Sequence, residues 1–357
     1  MSVRQRGIPG AWCRGALALL VLSLPVPAGA EILLFGDLAG VVREPRQAQS
    51  SLPRSEVEPR ATLFYSGNLG RVTALAEFVV DKERSQFGRV KAGWSFDSGA
   101  NLWLGRFHNP SSHWRDQYHH GGYLQPTIVR PGVAEFERPG GVLPAHTTGI
   151  QLEGEKLFAD RSLAYVLGVG YGGELEEGGL EVPELLEKER GLHNVTVAGR
   201  LSWHPDILND DALGAFFSLN HIASHVGGVE EIEQWLAGGF LNRRFANLTL
   251  SGEFYLVGSR PRPVGNRGWD RFSSGYLQLI YQLDERWSLN ARVEDTFDFR
   301  NDFYLDHFPE FVNRRRLLGG RYELGSNQAL KLELAEERRQ SAEAHGYLAL
   351  QWSIVLP

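Results

Sequence analysis

The chain has 357 residues, with 37 Lys or Arg against 43 Asp or Glu, 42% hydrophobic residues, 41 glycines and a single cysteine. The acidic balance gives no support to a nucleic-acid partner, and Cys13 alone allows no disulfide. Beyond residue 30 no apolar run approaches the roughly 20 residues of a transmembrane helix. The length would allow two domains at roughly 150 residues each, but no Ser/Pro-rich linker and no repeat of roughly 20–50 residues divides the chain.

In chain order, residues 1–30 join Arg4, Arg6 and Arg14 to a short apolar run, Ala16 to Leu24, and then to Pro-Val-Pro-Ala-Gly-Ala before Glu31. A basic region, a short apolar region and an A-x-A-like site form the pattern of a cleaved export signal, with Ala30 as the last residue removed. Cys13 precedes the apolar run and leaves with it. Removing three arginines and no acids turns 37 against 43 into 34 against 43, a formal charge of −9 for residues 31–357.

That remainder alternates polar and apolar with a period of two, the signature of strands that present different faces. In "RVTALAEFVVD" Val72, Ala74, Ala76, Phe78 and Val80 oppose Arg71, Thr73 and Glu77. In the closing "HGYLALQWSIVLP" Leu348, Leu350, Trp352, Ile354 and Leu356 oppose Tyr347, Ala349, Gln351 and Ser353. Strands are expected near 32–42, 60–66, 71–80, 87–96, 100–108, 148–158, 162–171, 195–204, 212–221, 230–242, 246–257, 271–283, 287–298, 316–324, 328–337 and 344–356. The fold class is therefore all-β, with about sixteen strands, an even number within the range of outer-membrane barrels.

The connections separate a barrel from a sandwich. Every second one is a tight turn, at Gly67–Gly70, Asp97–Gly99, Ala159–Arg161, Asp284–Arg286 and Gly325–Asn327, with His204–Asp211 longer and a break near Arg244 least defined. The intervening ones are mostly long and polar, at 43–59, 109–147, 172–194, 258–270 and 299–315. Short turns on one rim and long loops on the other are expected of a transmembrane antiparallel barrel. The apolar parity then faces lipid and the charged parity an aqueous lumen, which spares Arg89, Lys91, Arg200, Arg292, Glu77 and Glu253 a dry core. Trp94, Trp203, Trp287, Tyr165, Tyr171 and Phe254 suit interfacial girdles.

The export signal, the strand number, the amphipathic last strand and the longest connection in third extracellular position together resemble the Gram-negative porins, general or substrate-selective, and among these the phosphate-selective-like ones. The resemblance covers the whole of residues 31–357 and is one of architecture. It implies residence in the outer membrane of a Gram-negative bacterium and passive diffusion of small hydrophilic solutes or ions. It also implies contact with outer-membrane lipid and lipopolysaccharide, and a homotrimer. It implies neither cofactor nor catalytic residue, and a third loop, 109–147, that folds inward to narrow the lumen. The chain departs from the family by ending Val355-Leu356-Pro357 rather than on an aromatic residue.

Constriction and pore-lining candidates are Arg115, Asp116, Arg130, Glu135, Glu137 and Arg138 in that loop, with Arg89, Lys91, Arg200, Glu253, Arg292, Glu294 and Arg321 on strand parities facing the lumen, since rings of fixed charge select ions. Further lumen charges are Arg71, Lys331, Glu153, Glu323 and Glu333. The sign of selectivity stays open, because both signs occur. The loop histidines His113, His119, His120 and His146, with His108 beside them, match no metal spacing, so no metal is expected. Arg314, Arg315 and Arg316 suit phosphate or the anionic groups of lipopolysaccharide, or form a solvated loop end. Asp306–His307 and His204 with Asp206 offer catalytic residue types without a partnered Ser. The alternative reading is a closed structural or adhesive barrel, with an outer-membrane enzyme third.

Overall fold

The computed structural model describes residues 30–44, 53–82, 85–118, 121–137, 140–182, 195–226, 228–262 and 268–357. The expected export signal, His119, His120 and Arg138 lie outside them. No helix among them is long and apolar enough to cross a membrane.

The strands are β1 (Ala30–Arg43), β2 (Ser55–Leu69), β3 (Val72–Asp81), β4 (Ser85–Ser95), β5 (Asn101–His108), β6 (His146–Phe158), β7 (Arg161–Tyr171), β8 (Glu174–Glu176), β9 (Gly179–Glu181), β10 (Val195–His204), β11 (Ala212–Ala223), β12 (Glu231–Phe245), β13 (Leu248–Arg262), β14 (Asp270–Gln282), β15 (Trp287–Phe297), β16 (Val312–Glu323), β17 (Gln328–Arg339) and β18 (His345–Leu356). Sixteen of them close into one antiparallel barrel, each paired with its neighbours in sequence, and β1 meets β18 in register from Leu34↔Leu356 to Arg43↔Tyr347. Closure leaves no unpaired edge, as a strand in lipid requires. The remaining two, β8 and β9, form a hairpin in the connection between β7 and β10, where the sequence suggests only a loop.

The two parities part as expected. On β18, Leu350 is 55% exposed while Gln351 is 6% exposed, and Leu348 and Trp352 join Leu350 outside as Tyr347, Ala349 and Ser353 turn inward. Trp94, Trp203 and Trp287 sit near the short-turn rim, where Trp287 packs on Tyr322 at 4.5 Å. Phe254 lies mid-strand in β13, between Gly239 and Gly275, further from the short turn than those tryptophans.

Strands also run further than the alternation suggests at the long-loop rim. β2 begins at Ser55, β13 continues to Arg262 and β16 begins at Val312. Above the lipid both faces meet water, so hydrogen-bonded ladders continue there with no hydrophobic alternation to mark them. The break near Arg244 is the turn Ala246–Asn247, joining two strands of 15 residues each. Arg71, expected in the lumen, instead lies exposed by the short turn and pairs with Asp97 at 2.6 Å.

Leu350 stands mid-strand on the lipid face, opposite Gly40 and Leu332. Leu350→Arg should lower the unfolding free energy of the lipid-embedded barrel by about 2–4 kcal/mol, the midplane cost of a guanidinium. Leu350→Val should cost under about 1.5 kcal/mol. Urea titrations in liposomes read both, and equal small losses would place this face away from lipid.

Candidate functional site

From β5 the chain does not stay on the rim. The described residues between 109 and 145 enter the barrel, and their path is fixed by hydrogen bonds to inward side chains of the wall. A backbone inside a barrel has no ladder partner for its N–H and C=O groups, and each one left unmet costs about 1–3 kcal/mol. Charged side chains of the inward parity meet them.

The path starts against β10 and β13. Ser112 caps the short helix His113–Gln117 by accepting the Arg115 N–H at 3.1 Å. Glu253 accepts the Ser112 hydroxyl at 3.1 Å and the Trp114 N–H at 2.5 Å. Arg200 donates to the Ser112 carbonyl at 3.0 Å and to Asp116 at 2.6 Å. The chain then reaches β1 and β17, where Asp37 accepts the Gly122 N–H at 2.8 Å and Lys331 donates to the Gly122 carbonyl. A Cβ at Gly122 would strike Asp37, so this crossing requires glycine.

The return runs along β15–β17. Arg321 donates to the carbonyls of Tyr123 and Gln125, and Arg292 to the Thr127 hydroxyl at 2.8 Å and the Val129 carbonyl at 2.9 Å. Glu333 accepts the N–H groups of Ile128 and Val129. Glu294 accepts the Gly132 N–H at 2.7 Å and joins Arg292 at 2.8 Å to Arg315 at 3.0 Å. Arg315 continues to the Arg130 carbonyl and to Glu337, both at 2.8 Å. Glu137 closes the loop on its own base, accepting the N–H groups of Ala145 at 2.5 Å and His146 at 2.7 Å and pairing with the His146 ring at 2.7 Å.

The structure thus brings Arg200, Glu253, Arg292, Glu294 and Arg321 of the wall together with the loop. Arg115 is buried and donates to the Pro144 carbonyl at 3.2 Å, and Arg130 pairs with Glu135 at 3.0 Å. Arg89 and Lys91 lie on β4, with Arg89 on Glu77 at 2.8 Å and Lys91 between Gln151 at 2.9 Å and the Trp103 ring, both within electrostatic reach of Asp116 of the loop. Asp37 and Glu337 are absent from the sequence candidates, and Arg315 appears there only with Arg314 and Arg316, as a phosphate-binding or loop-end residue. For Arg315 and Glu337 the signal is there once β16 is started at Val312, because the alternation then turns Arg315 inward between Glu294 and Glu337.

On the β11–β14 side the upper lumen is filled by a dry cluster. Val142 and Leu143 of the loop, Leu175 and Leu180 of the β8–β9 hairpin, and Tyr304 and Phe308 of the β15–β16 connection pack together, and the Tyr304 hydroxyl donates to the Val142 carbonyl at 2.7 Å. On the opposite side, between the loop and β1, β2 and β16–β18, a cavity of about 400 Å³ is left, lined by charges including Arg43, Glu58, Arg60, Arg130, Arg339 and Glu310.

The other sequence candidates take structural roles. His113 stacks on Phe240 at 4.2 Å, and burial, with the Arg200 charge next, pushes its imidazole down to about 3. Asp306 is exposed while His307 packs edge-on against Phe303 at 4.8 Å, and no hydrogen bond joins the two. Asp206 caps its own turn at the Leu208 N–H, 2.9 Å.

Two loop groups give a pH dependence. A histidine depressed to about 3 from 6.5 stabilises the fold fully above the ordinary imidazole value and progressively less as pH falls below it. Burial opposes ionisation of Glu137, but the charge and hydrogen bonds of His146 outweigh it and hold the carboxyl at about 2. Its contribution is present above 4.5 and is lost as pH falls through about 2. Between pH 7 and 4 the barrel should lose roughly 3 kcal/mol through His113. His113→Phe, which keeps the stack on Phe240, should flatten that slope in urea titrations, and an unchanged slope would contradict the assignment.

No protein-family model and no curated protein matches this chain. Solved structures do. An anion-selective porin from Comamonas acidovorans is 13% identical, with a TM-score of 0.57 over 92% of this chain and 100% of that one. OmpT, an outer membrane protein of Vibrio cholerae, is 8% identical, with a TM-score of 0.59 over 92% and 97%. A substituted porin of Rh. blastica is 11% identical, with a TM-score of 0.54 over 92% and 100%. With the closed barrel, the lipid-facing parity and the loop carried inside, these likenesses show that the chain has the fold of the bacterial outer-membrane porins.

Proposed function

We propose that this chain is an outer-membrane porin of a Gram-negative bacterium that lets small hydrophilic solutes or ions diffuse passively along one off-centre path. The observation that carries the reading is the charged cavity left between the anchored loop and the wall at β1, β2 and β16–β18. Several of its charges are held in pairs, as Arg315 is by Glu294 and Glu337 and Arg43 is by Glu56 at 3.4 Å. Such a lining offers polar contacts at every step without a deep well of one sign, and passage needs binding that is easily reversed. Both signs line the cavity, so selectivity is read from the current. Arg130 and Glu135 form the loop side of this path, and Arg115, Asp116 and Glu137 act in it by holding the loop in shape. Arg200, Glu253, Arg292, Glu294 and Arg321 act in it by holding the loop, and Arg89 and Lys91 line the wall below. The chain works without catalysis or a cofactor, among outer-membrane lipid and lipopolysaccharide, and as a homotrimer in line with its resemblance to the porins.

A second reading, a closed structural barrel, is favoured by the dry cluster in the upper lumen. Planar bilayers decide between them. The refolded chain should give stepwise openings under a KCl gradient, with the reversal potential naming the preferred ion, whereas a silent membrane holding heat-modifiable barrel would favour the closed structure. Arg292→Ala, which strips the loop of two hydrogen-bond donations and leaves Glu294 short of a partner, should destabilise the loop by about 3–5 kcal/mol. Noisier and larger openings are expected, and currents like those of the parent chain would count against the loop as the constriction.

A further inference from the structure

The alternation that turns Arg315 into the lumen turns Arg314 and Arg316 out of it. Both are exposed on the outer wall at the long-loop end of β16, after a register shift between Val312 and Arg314. Arg314 stands directly across from Arg338, which is also exposed on the outer face of β17. Like charges facing each other across a ladder destabilise it unless something is placed between them. Asp295 lies across from Arg314 and Glu336 across from Arg316, yet none of the three arginines makes an ion pair with a described residue. Arg271, exposed at the same end of β14, adds a fourth positive charge against these two acids.

Height in the wall gives the patch its meaning. Asp295 and Arg314 face each other eight positions above the Trp287–Tyr322 pair of the short-turn rim. With a rise of ~3.4 Å per residue and a tilt of ~40°, that is ~20 Å, near the top of an apolar band ~25 Å tall. Guanidinium groups at that level meet the headgroups of the outer leaflet.

Beside the arginines the outer wall is indented. Gly239, Gly252 and Gly275 lie on neighbouring strands in a groove of about 540 Å³, with Phe254 and Leu277 along it and Arg314 and Arg316 at its edge. A groove of small residues walled by apolar ones suits a hydrocarbon chain, and the Arg cluster suits phosphate oxygens, which guanidinium groups bind in a fork.

We propose that this face of β12–β17 is a binding site for the phosphorylated glycolipid of the outer leaflet, the lipid A part of lipopolysaccharide. Its phosphate rests on Arg314, Arg316 and Arg338, and an acyl chain lies over the three glycines. The assignment rests on the outer-membrane placement proposed above but not on the pore, because these side chains lie outside the lumen. Net positive charge selects an anionic headgroup over a zwitterionic one.

The test is native mass spectrometry of the refolded full chain in detergent, titrated with bisphosphorylated lipid A, its dephosphorylated form and phosphatidylethanolamine. The parent chain should bind bisphosphorylated lipid A at least tenfold more tightly than either other lipid. R314Q/R316Q/R338Q should bring the three within about twofold while keeping heat-modifiability and single-channel conductance. R314K/R316K/R338K, which keeps the charge, should retain part of the preference. Equal binding of the three lipids by the parent chain would overturn the proposal without recourse to any variant. So would a glutamine variant with undiminished preference, or displacement of lipid A by millimolar pyrophosphate, which would reduce the site to a general anion patch. A chain that binds lipid A yet passes no current would refute the pore and leave this site standing.

Discussion

A peptide segment inside a barrel needs partners for the N–H and C=O groups it carries, and the described residues between 109 and 145 find many of theirs on the charged parity of the wall. Glu253, Asp37, Glu333 and Glu294 accept the loop's N–H groups, while Arg200, Lys331, Arg321, Arg292 and Arg315 take its carbonyls. Acids and bases are interspersed along the path, acids where N–H groups face the wall and bases where carbonyls do. The inward charges are therefore neither an ornament of a wet lumen nor a costly core. Each meets a backbone dipole of the loop, and Arg200, Arg292, Glu294, Arg315 and Arg321 also hold an ion pair, a combination that makes buried ionic groups tolerable.

Two features of the lumen follow. Where the loop lies against β10 and β13, its apolar side chains meet those of the β8–β9 hairpin and the β15–β16 connection, and water is excluded around Leu143, Leu175 and Phe308. Where it crosses to β1 and turns back, its carbonyls and the wall charges face an open cavity. The lumen is divided into a dry side and a charged side by the position of one loop. The same parity rule, continued onto the outside of β16 and β17, sets Arg314, Arg316 and Arg338 against the membrane.

Much of this was legible in the sequence, since a period of two needs no partner to be recognised. The alternation of β18 and the sorting of loops by length specify a sixteen-strand barrel and its lipid face, and Glu253, Arg292 and Arg321 stand out as charges of the inward parity. What the alternation could not reach lies above the lipid, where both faces are wet. There β2 and β16 extend unannounced, and with them Arg315 passes from a loop run to the centre of an ion network. Asp37 was hidden in an apolar strand. The β8–β9 hairpin was hidden too, because three-residue strands carry too little pattern to register. That the charges serve the loop's backbone is a property of tertiary placement, invisible in composition.

The division of the lumen is the claim on which the rest stands, and cysteine accessibility tests it directly. Cys13 lies in the expected export signal, so a chain refolded from residue 31 onward starts without thiols. Single cysteines would be placed at Ala39 or Glu58, which line the charged cavity, and at Leu175 or Leu180 in the dry cluster. A bulky methanethiosulfonate reagent applied during bilayer recording should cut the current in the first pair and leave the second pair unreacted. Reaction and block at Leu175 and Leu180 as readily as at Ala39 and Glu58 would contradict the account.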